Sequence, residues 1–151
     1  METIFKINYA SRKVLLKFLE NYSLEQLNKI PEGFSNNLIW NIGHIIVVQQ
    51  MFVYALSGLP MMVSDDMVAK YKKGSKPEHN VSQEEMDEIK KLLFTTLEQT
   101  QNDFETQLFK NYNEFTTITG FVIQDVTSAI VFNNYHEALH TGMMMQIRKF
   151  L

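Results

Sequence analysis

The sequence predicts an all-α protein in which four long helices form a bundle. Only three prolines and six glycines occur in 151 residues, and they cluster between long stretches whose apolar residues recur at spacings of three and four. Such spacing places the apolar side chains on one face of a helix. A chain of this length fits one domain, residues 1–151, and is long enough to bury a core.

Residues that start and stop helices set the limits of these four segments. The predicted ranges are about 3–20, 35–58, 82–108 and 124–150. Capping boxes at Ser23 and Ser82 mark two helix starts, and the first opens only a short turn before Pro31 and Gly33. Gly58 ends the second long helix.

The connections between the long helices are predicted to be loops. Residues 59–81 are expected to carry one short helical piece near residues 65–71. Residues 109–122 are rich in Asn, Thr and Gly, so they form a loop or an extended crossover. The alternation of Thr and Ile within residues 115–123 favours a strand there, but it is too short to build a sheet.

Composition excludes several classes of function. The net charge is −3, which offers no basic surface for nucleic acid. There are no cysteines, so disulfides, thiolate nucleophiles and cysteine-bound metals are excluded. The N-terminus lacks the pattern of a signal peptide, and apolar runs such as Ile45 to Val48 are too short to span a membrane. A cytoplasmic protein without a membrane partner is therefore expected.

Three of the four histidines lie on the predicted apolar faces of two helices. His136 and His140 are one turn apart on the fourth helix, and His44 lies on the second. His79, beside Pro77 in the lysine-rich loop, is predicted to be a surface residue. The fourth-helix seam comprises Val126, Ala129, Asn133, His136, His140, Met143, Ile147 and Phe150. The second-helix seam comprises Asn37, Asn41, His44, Val48, Met51 and Ala55.

This pattern predicts a metal site formed by His44, His136 and His140. Imidazoles one turn apart bind one ion with little rearrangement, and a third from a neighbouring helix leaves coordination positions for water or substrate. The ligand set favours a divalent ion, zinc or nickel ahead of iron or manganese. The alternative is three unrelated core histidines, each with its own hydrogen-bond partner, and it would leave several buried nitrogens to satisfy.

Residues 136–140, His-Glu-Ala-Leu-His, also match the motif of zinc proteases. The longer metzincin motif needs Gly at position 143 and His at position 146, where this chain has Met143 and Gln146. A thermolysin-like enzyme needs a glutamate ligand on a later helix, and too little chain follows His140. Proteolysis is therefore not expected. Glu137 is predicted to face solvent or to form a structural salt bridge in preference to reaching the site.

Two segments resemble the signatures of the DinB/YfiT superfamily. Residues 36–45, Asn-Asn-Leu-Ile-Trp-Asn-Ile-Gly-His-Ile, are similar to that family's helix-two signature. Residues 136–142, His-Glu-Ala-Leu-His-Thr-Gly, are similar to its helix-four signature. The resemblance covers essentially the whole chain, including the helix lengths and the long loop before the fourth helix.

The resemblance implies a four-helix bundle with up-down-down-up connectivity and a divalent metal on a histidine triad. The triad maps onto His44, His136 and His140. Family members are often homodimers, and those with known activity include thiol-dependent S-transferases and isomerases. The implied cofactors are a metal ion and a low-molecular-weight thiol, with a small molecule as substrate. The implied activity is a thiol transferase or a hydrolase-like reaction.

Several questions stay open from the sequence alone. A non-catalytic metal-binding bundle and a helical interaction module without metal are alternatives to the enzyme. Trp40 is predicted to be a core or interface aromatic in preference to a wall of the metal pocket. Asn37 and Asn41 either orient a ligand or serve the helix start. The methionines at 143–145 are predicted to fill the core and a dimer surface.

Overall fold

Helices make up most of the computed structural model, which describes residues 1–151. The α-helices are α1 (Glu2–Asn21), α2 (Leu24–Asn28), α3 (Leu38–Gln50), α4 (Asp65–Tyr71), α5 (Gln83–Glu105) and α6 (Val126–Ile147). A π-helical turn, Met51–Ala55, extends α3, and a 3₁₀ turn, Arg148–Phe150, follows α6. Strands β1 (Phe115–Thr116) and β2 (Val122–Ile123) form one antiparallel pair. The all-α prediction is confirmed.

Side-chain caps fix the starts of the helices. Ser23 and Asp125 form capping boxes at α2 and α6, and the Ser82 hydroxyl accepts from the backbone of α5. The start of α3 lies at Leu38, slightly later than predicted, because the Asn37 side chain accepts from the Trp40 amide over 2.9 Å and caps the helix there.

The π-helical turn corrects the predicted seam of the second helix. The Leu56 amide bonds to the Met51 carbonyl, five residues earlier, so the turn holds more residues than an α-helical turn. The register of the buried face therefore changes. Val53 is buried there, whereas Ala55, which the regular spacing had placed in the core, is exposed.

The fourth-helix seam also differs from its prediction at its end. Met143 is exposed and Met144 is buried, because the inward face continues from His140 at a spacing of four and not three. Phe150 lies beyond the end of α6 and is exposed, with its ring 5.7 Å from that of Phe34.

The core forms around α3. The helix contacts α5 and α6, as does α1, whereas α1 and α3 contact each other less extensively. Every residue of α3 is buried. The stretch Leu38–Ala55 has the length and mean hydropathy, 1.4, of a membrane span, but 83% of it is buried inside the protein. Burial in the core accounts for its apolar composition without a membrane.

Candidate metal centre

Three histidines from two helices meet beside the core. His44 belongs to α3, and His136 and His140 belong to α6. Their candidate ligand atoms all lie within 4.8 Å of one another. Because imidazole nitrogens bind zinc at about 2.0–2.1 Å, two nitrogens on one ion are at most about 4.2 Å apart. The cluster is therefore compatible with metal binding after a small adjustment of the side chains.

The ring of His44 is held from two directions. Its Nδ1 lies 2.6 Å from the carbonyl oxygen of Tyr71 and donates to it, because a carbonyl can only accept. The indole of Trp40 stacks on the ring, with centroids 4.7 Å apart and an interplanar angle of 13°. Protonation at Nδ1 leaves the lone pair on Nε2, which is the form that a metal ligand requires.

Gly43 allows Tyr71 to approach α3 this closely. A Cβ atom at Gly43 would lie 2.6–2.8 Å from three ring carbons of Tyr71, well inside van der Waals contact. The Tyr71 hydroxyl donates to Glu85 of α5 over 3.0 Å, which holds the other end of the side chain. Because position 43 has no side chain, the Tyr71 ring packs directly against α3, and the Tyr71 carbonyl lies within hydrogen-bond distance of His44.

Asn41 holds His140 in the same way. Its Oδ1 accepts from Nδ1 of His140 over 2.8 Å. Its Nδ2 donates to the side chain of Asn36 over 2.9 Å and to the carbonyl of Asn37 over 2.7 Å. These two acceptors fix which end of the amide faces the histidine, so His140 also carries its proton on Nδ1 and leaves Nε2 free.

His136 differs from the other two histidines. Its Nδ1 is buried and has no hydrogen-bond partner, and its ring meets that of Phe52 edge-on, with centroids 6.3 Å apart. A buried polar atom without a partner costs about 1–3 kcal/mol. An ion bound at this nitrogen would satisfy it. The orphaned nitrogen and the set of three imidazoles therefore both fit a divalent metal ion.

Burial keeps all three imidazoles neutral near pH 7. It lowers the pKa of His136 to about 3, with further contributions from the neighbouring charges of His140 and His44. Burial, followed by the proximity of His44, lowers the pKa of His140 to about 4. The pKa of His44 is also lowered by burial, although its hydrogen bond to Tyr71 opposes the change. Neutral imidazole is the form that binds metals, so the site does not have to lose protons first.

Glu137 forms a structural ion pair outside the site. Its Oε1 accepts from Nε and Nη2 of Arg12, over 3.0 and 2.8 Å, and from Nδ2 of Asn133 over 2.8 Å. Both charged side chains are fully buried. Arg12 also donates to the Leu93 carbonyl over 3.1 Å, so the pair links α1, α5 and α6. Glu137 is therefore engaged by Arg12 and is not placed as the general base of a zinc protease.

The structure also assigns roles to the other residues that the sequence singled out. Trp40 belongs to the core and also covers one face of His44, so both of its predicted roles apply. Asn37 serves the start of α3 and donates to the Asn28 carbonyl over 2.8 Å. His79 is exposed, which agrees with its prediction as a surface residue.

Comparison with known protein families gives the family. The model of the DinB superfamily matches residues 8–144 of this chain, which include all three histidines. The chain belongs to the DinB superfamily. The resemblance seen in residues 36–45 and 136–142 is thereby confirmed for this DinB protein. A search of curated proteins gave no match.

Sequence reasoning missed three residues that hold the site of this DinB protein. Gly43 and Tyr71 orient His44, and Arg12 anchors α6 next to His136. A glycine in the middle of an apolar helix was a usable signal, since it marks close approach of another chain segment. A second but weaker signal was Arg12, which lies three residues before Leu15 and therefore on the apolar face of the first helix.

Proposed function

We propose that the chain is a metal-dependent enzyme whose His44, His136 and His140 bind one divalent ion. The observation that carries the proposal is the convergence of their ligand atoms within 4.8 Å. The hydrogen bonds that Nδ1 of His44 and of His140 donate support it, because metal-binding histidines are held in this way in known sites. Zinc and nickel are the favoured ions, followed by iron and manganese.

An open coordination position favours catalysis over a purely structural role. The cluster contains three candidate ligands and no fourth histidine, aspartate or glutamate. Structural zinc sites are closed by four protein ligands, whereas catalytic sites keep one position for water or substrate. When bound, a divalent ion would act as a Lewis acid and lower the pKa of a water or thiol at the open position.

The residues around the three histidines orient the imidazole rings and keep them buried. Tyr71 and Asn41 orient two ligands, and Trp40 closes the face of His44 against water. Burial of the three rings keeps them unprotonated, so they remain available as ligands. We propose a thiol-dependent S-transfer to a small electrophilic substrate, by family resemblance, as the reaction that uses this site.

Metal stoichiometry tests the proposal directly. Purified protein loaded with zinc or nickel should hold one ion per chain by mass spectrometry of the metal. The His136→Ala variant should lose the ion, and the His79→Ala variant should keep it, because His79 is exposed and lies outside the cluster. Full occupancy in a variant lacking His44, His136 and His140 together would contradict the site.

Two further measurements separate an enzyme from a metal-binding bundle without activity. X-ray absorption of the loaded protein should give three imidazoles and one exchangeable oxygen or sulfur, and a thiol should replace the oxygen. Four protein ligands, together with a large loss of thermal stability on chelation, would indicate a structural ion. Turnover of electrophiles with low-molecular-weight thiols should require the metal and His136.

We propose that the four long helices run up-down-down-up, as the family resemblance implies. Contacts between α1 and α5 run in opposite chain directions, those between α3 and α5 run in the same direction, and those between α3 and α6 run in opposite directions. For α1 and α5 the supporting pairs are Phe5–Phe104 and Glu20–Lys90. For α3, with the π-helical turn that extends it, and α5 they are Gln49–Thr100 and Tyr54–Asp103. For α3, with the same turn, and α6 they are Asn41–His140 and Phe52–Phe132.

We propose a cytoplasmic homodimer formed through the outer face of α6. Ala138 and Met145 are exposed and seven residues apart, so they lie on one face of the C-terminal half of the helix. Sedimentation of the wild type should give a dimer. Met145→Glu should give a monomer, whereas Ile7→Glu on the exposed face of α1 should leave the dimer intact.

A further inference from the structure

A group of aromatic side chains extends from the histidine cluster to the surface. We name it the aromatic shelf and define it as Phe52, Phe121, Phe132 and Tyr135. Phe52 meets His136 edge-on at 6.3 Å, and Phe132 meets Phe52 edge-on at 5.8 Å. The shelf therefore begins in contact with one of the three candidate ligands.

The shelf continues outward through the β-hairpin. Phe121, just before β2, stacks on Phe132 with centroids 5.5 Å apart and an interplanar angle of 6°. Tyr135 lies against Phe132 at 5.6 Å. Phe121 is 46% exposed and Tyr135 is 50% exposed. Apolar side chains of this size exposed together are uncommon and mark binding surfaces.

The opposite side of the cluster offers no such surface. Trp40 stacks on His44 but is only 6% exposed. Its indole N–H donates to the Lys70 carbonyl over 3.1 Å, and beyond it lies a polar cleft lined by charged residues. Trp40 and this polar cleft therefore offer no apolar surface on the His44 side, whereas Phe52 provides one on the His136 side.

We propose that the ligand bound at the open metal position carries an aromatic or branched aliphatic group, which lies on the aromatic shelf. This inference rests on the proposed function, because the metal anchors the ligand next to His136. The shelf supplies apolar area and aromatic edges, and it contains no charged side chain. It therefore selects among small electrophiles or thiols by the apolar group and not by charge.

A pair of metal-binding probes isolates the shelf from the metal. Acetohydroxamate and benzohydroxamate share one chelating group and differ by a methyl against a phenyl. Both are titrated into cobalt-loaded protein, and binding is followed by the visible absorption of the ion. Covering about 60 Å² of additional apolar surface predicts that the wild type binds benzohydroxamate roughly ten-fold more tightly than acetohydroxamate.

Variants then assign this preference to the shelf. Phe121→Ala removes a half-exposed ring that touches no histidine, so the fold and the affinity for acetohydroxamate should persist. The preference for benzohydroxamate should fall about three-fold or more. Ile7→Ala, a matched removal of an exposed apolar side chain on α1, should leave the preference unchanged.

The outcomes separate this inference from the proposed function. Failure of the wild type to bind cobalt overturns both. Cobalt binding with equal affinity for the two hydroxamates overturns the shelf alone. An unchanged preference for benzohydroxamate in Phe121→Ala also overturns the shelf. If Phe121→Ala keeps this preference and converts a wild-type dimer to a monomer, the surface binds a second copy of the chain instead.

Discussion

Replacing Gly43 with alanine should weaken metal binding without unfolding the protein. The new Cβ would lie 2.6 Å from Cδ1 of Tyr71, whereas ordinary contact begins at 3.4 Å. The Tyr71 ring must therefore retreat by about 0.8 Å. Its carbonyl accepts from His44 over 2.6 Å. If the carbonyl moves with the ring, the distance exceeds the usual upper limit of about 3.2 Å for such a hydrogen bond.

The two consequences differ in size. Overpacking costs about 1–3 kcal/mol, and the higher helix propensity of alanine returns about 1 kcal/mol, so the net loss of stability should be at most about 2 kcal/mol. Losing the partner that orients a histidine ligand typically lowers metal affinity by about 10–100-fold. The affinity should therefore respond much more than the fold.

Gly142→Ala is the matched control. Gly142 lies in α6, two residues after His140, and a Cβ there meets nothing within 4 Å. The same chemical change should raise stability by up to about 1 kcal/mol and leave metal affinity unchanged. Affinity is measured by competition with a chromophoric chelator, and stability by urea denaturation of metal-free protein. A Gly43→Ala affinity within two-fold of the wild type would refute the argument that Tyr71 orients His44.

Three further outcomes are expected. Arg12→Met or Glu137→Leu alone should each lower the free energy of unfolding by about 3–5 kcal/mol, because each leaves one buried charge unpaired. The double variant should recover most of that loss in urea denaturation, and additive losses would contradict the pairing. Asn41→Ala should lower metal affinity about 10–100-fold in a chelator competition, and an unchanged affinity would mean that the hydrogen bond to His140 has no orienting role. Metal-free protein should lose thermal stability as the pH falls from about 6.5 to 4, because the unfolded chain takes up protons on its histidines while the folded state resists their protonation. A melting temperature that rises on acidification would contradict the lowered pKa of His140.

The helices were predictable because their signals are local. Apolar residues at spacings of three and four, and caps such as Ser82, act within a few residues, and the helix limits agree to within a few positions. Errors arose where geometry departs from the regular helix. The π-helical turn after Gln50 adds residues to one turn, and no local pattern in Met51–Ala55 announces it.

The sequence by itself determined the helical class and the family. It also grouped the three histidines, because periodicity assigns each of these residues to the inward face of its helix. It left Glu137 open between solvent and a salt bridge, since a position 100° around the helix from His136 can face either way. Tertiary packing decided that Glu137 pairs with Arg12, a residue distant in the chain. Packing alone also brought Tyr71 to His44 and Phe121 to Phe132, because contacts between separate elements depend on how those elements meet in space.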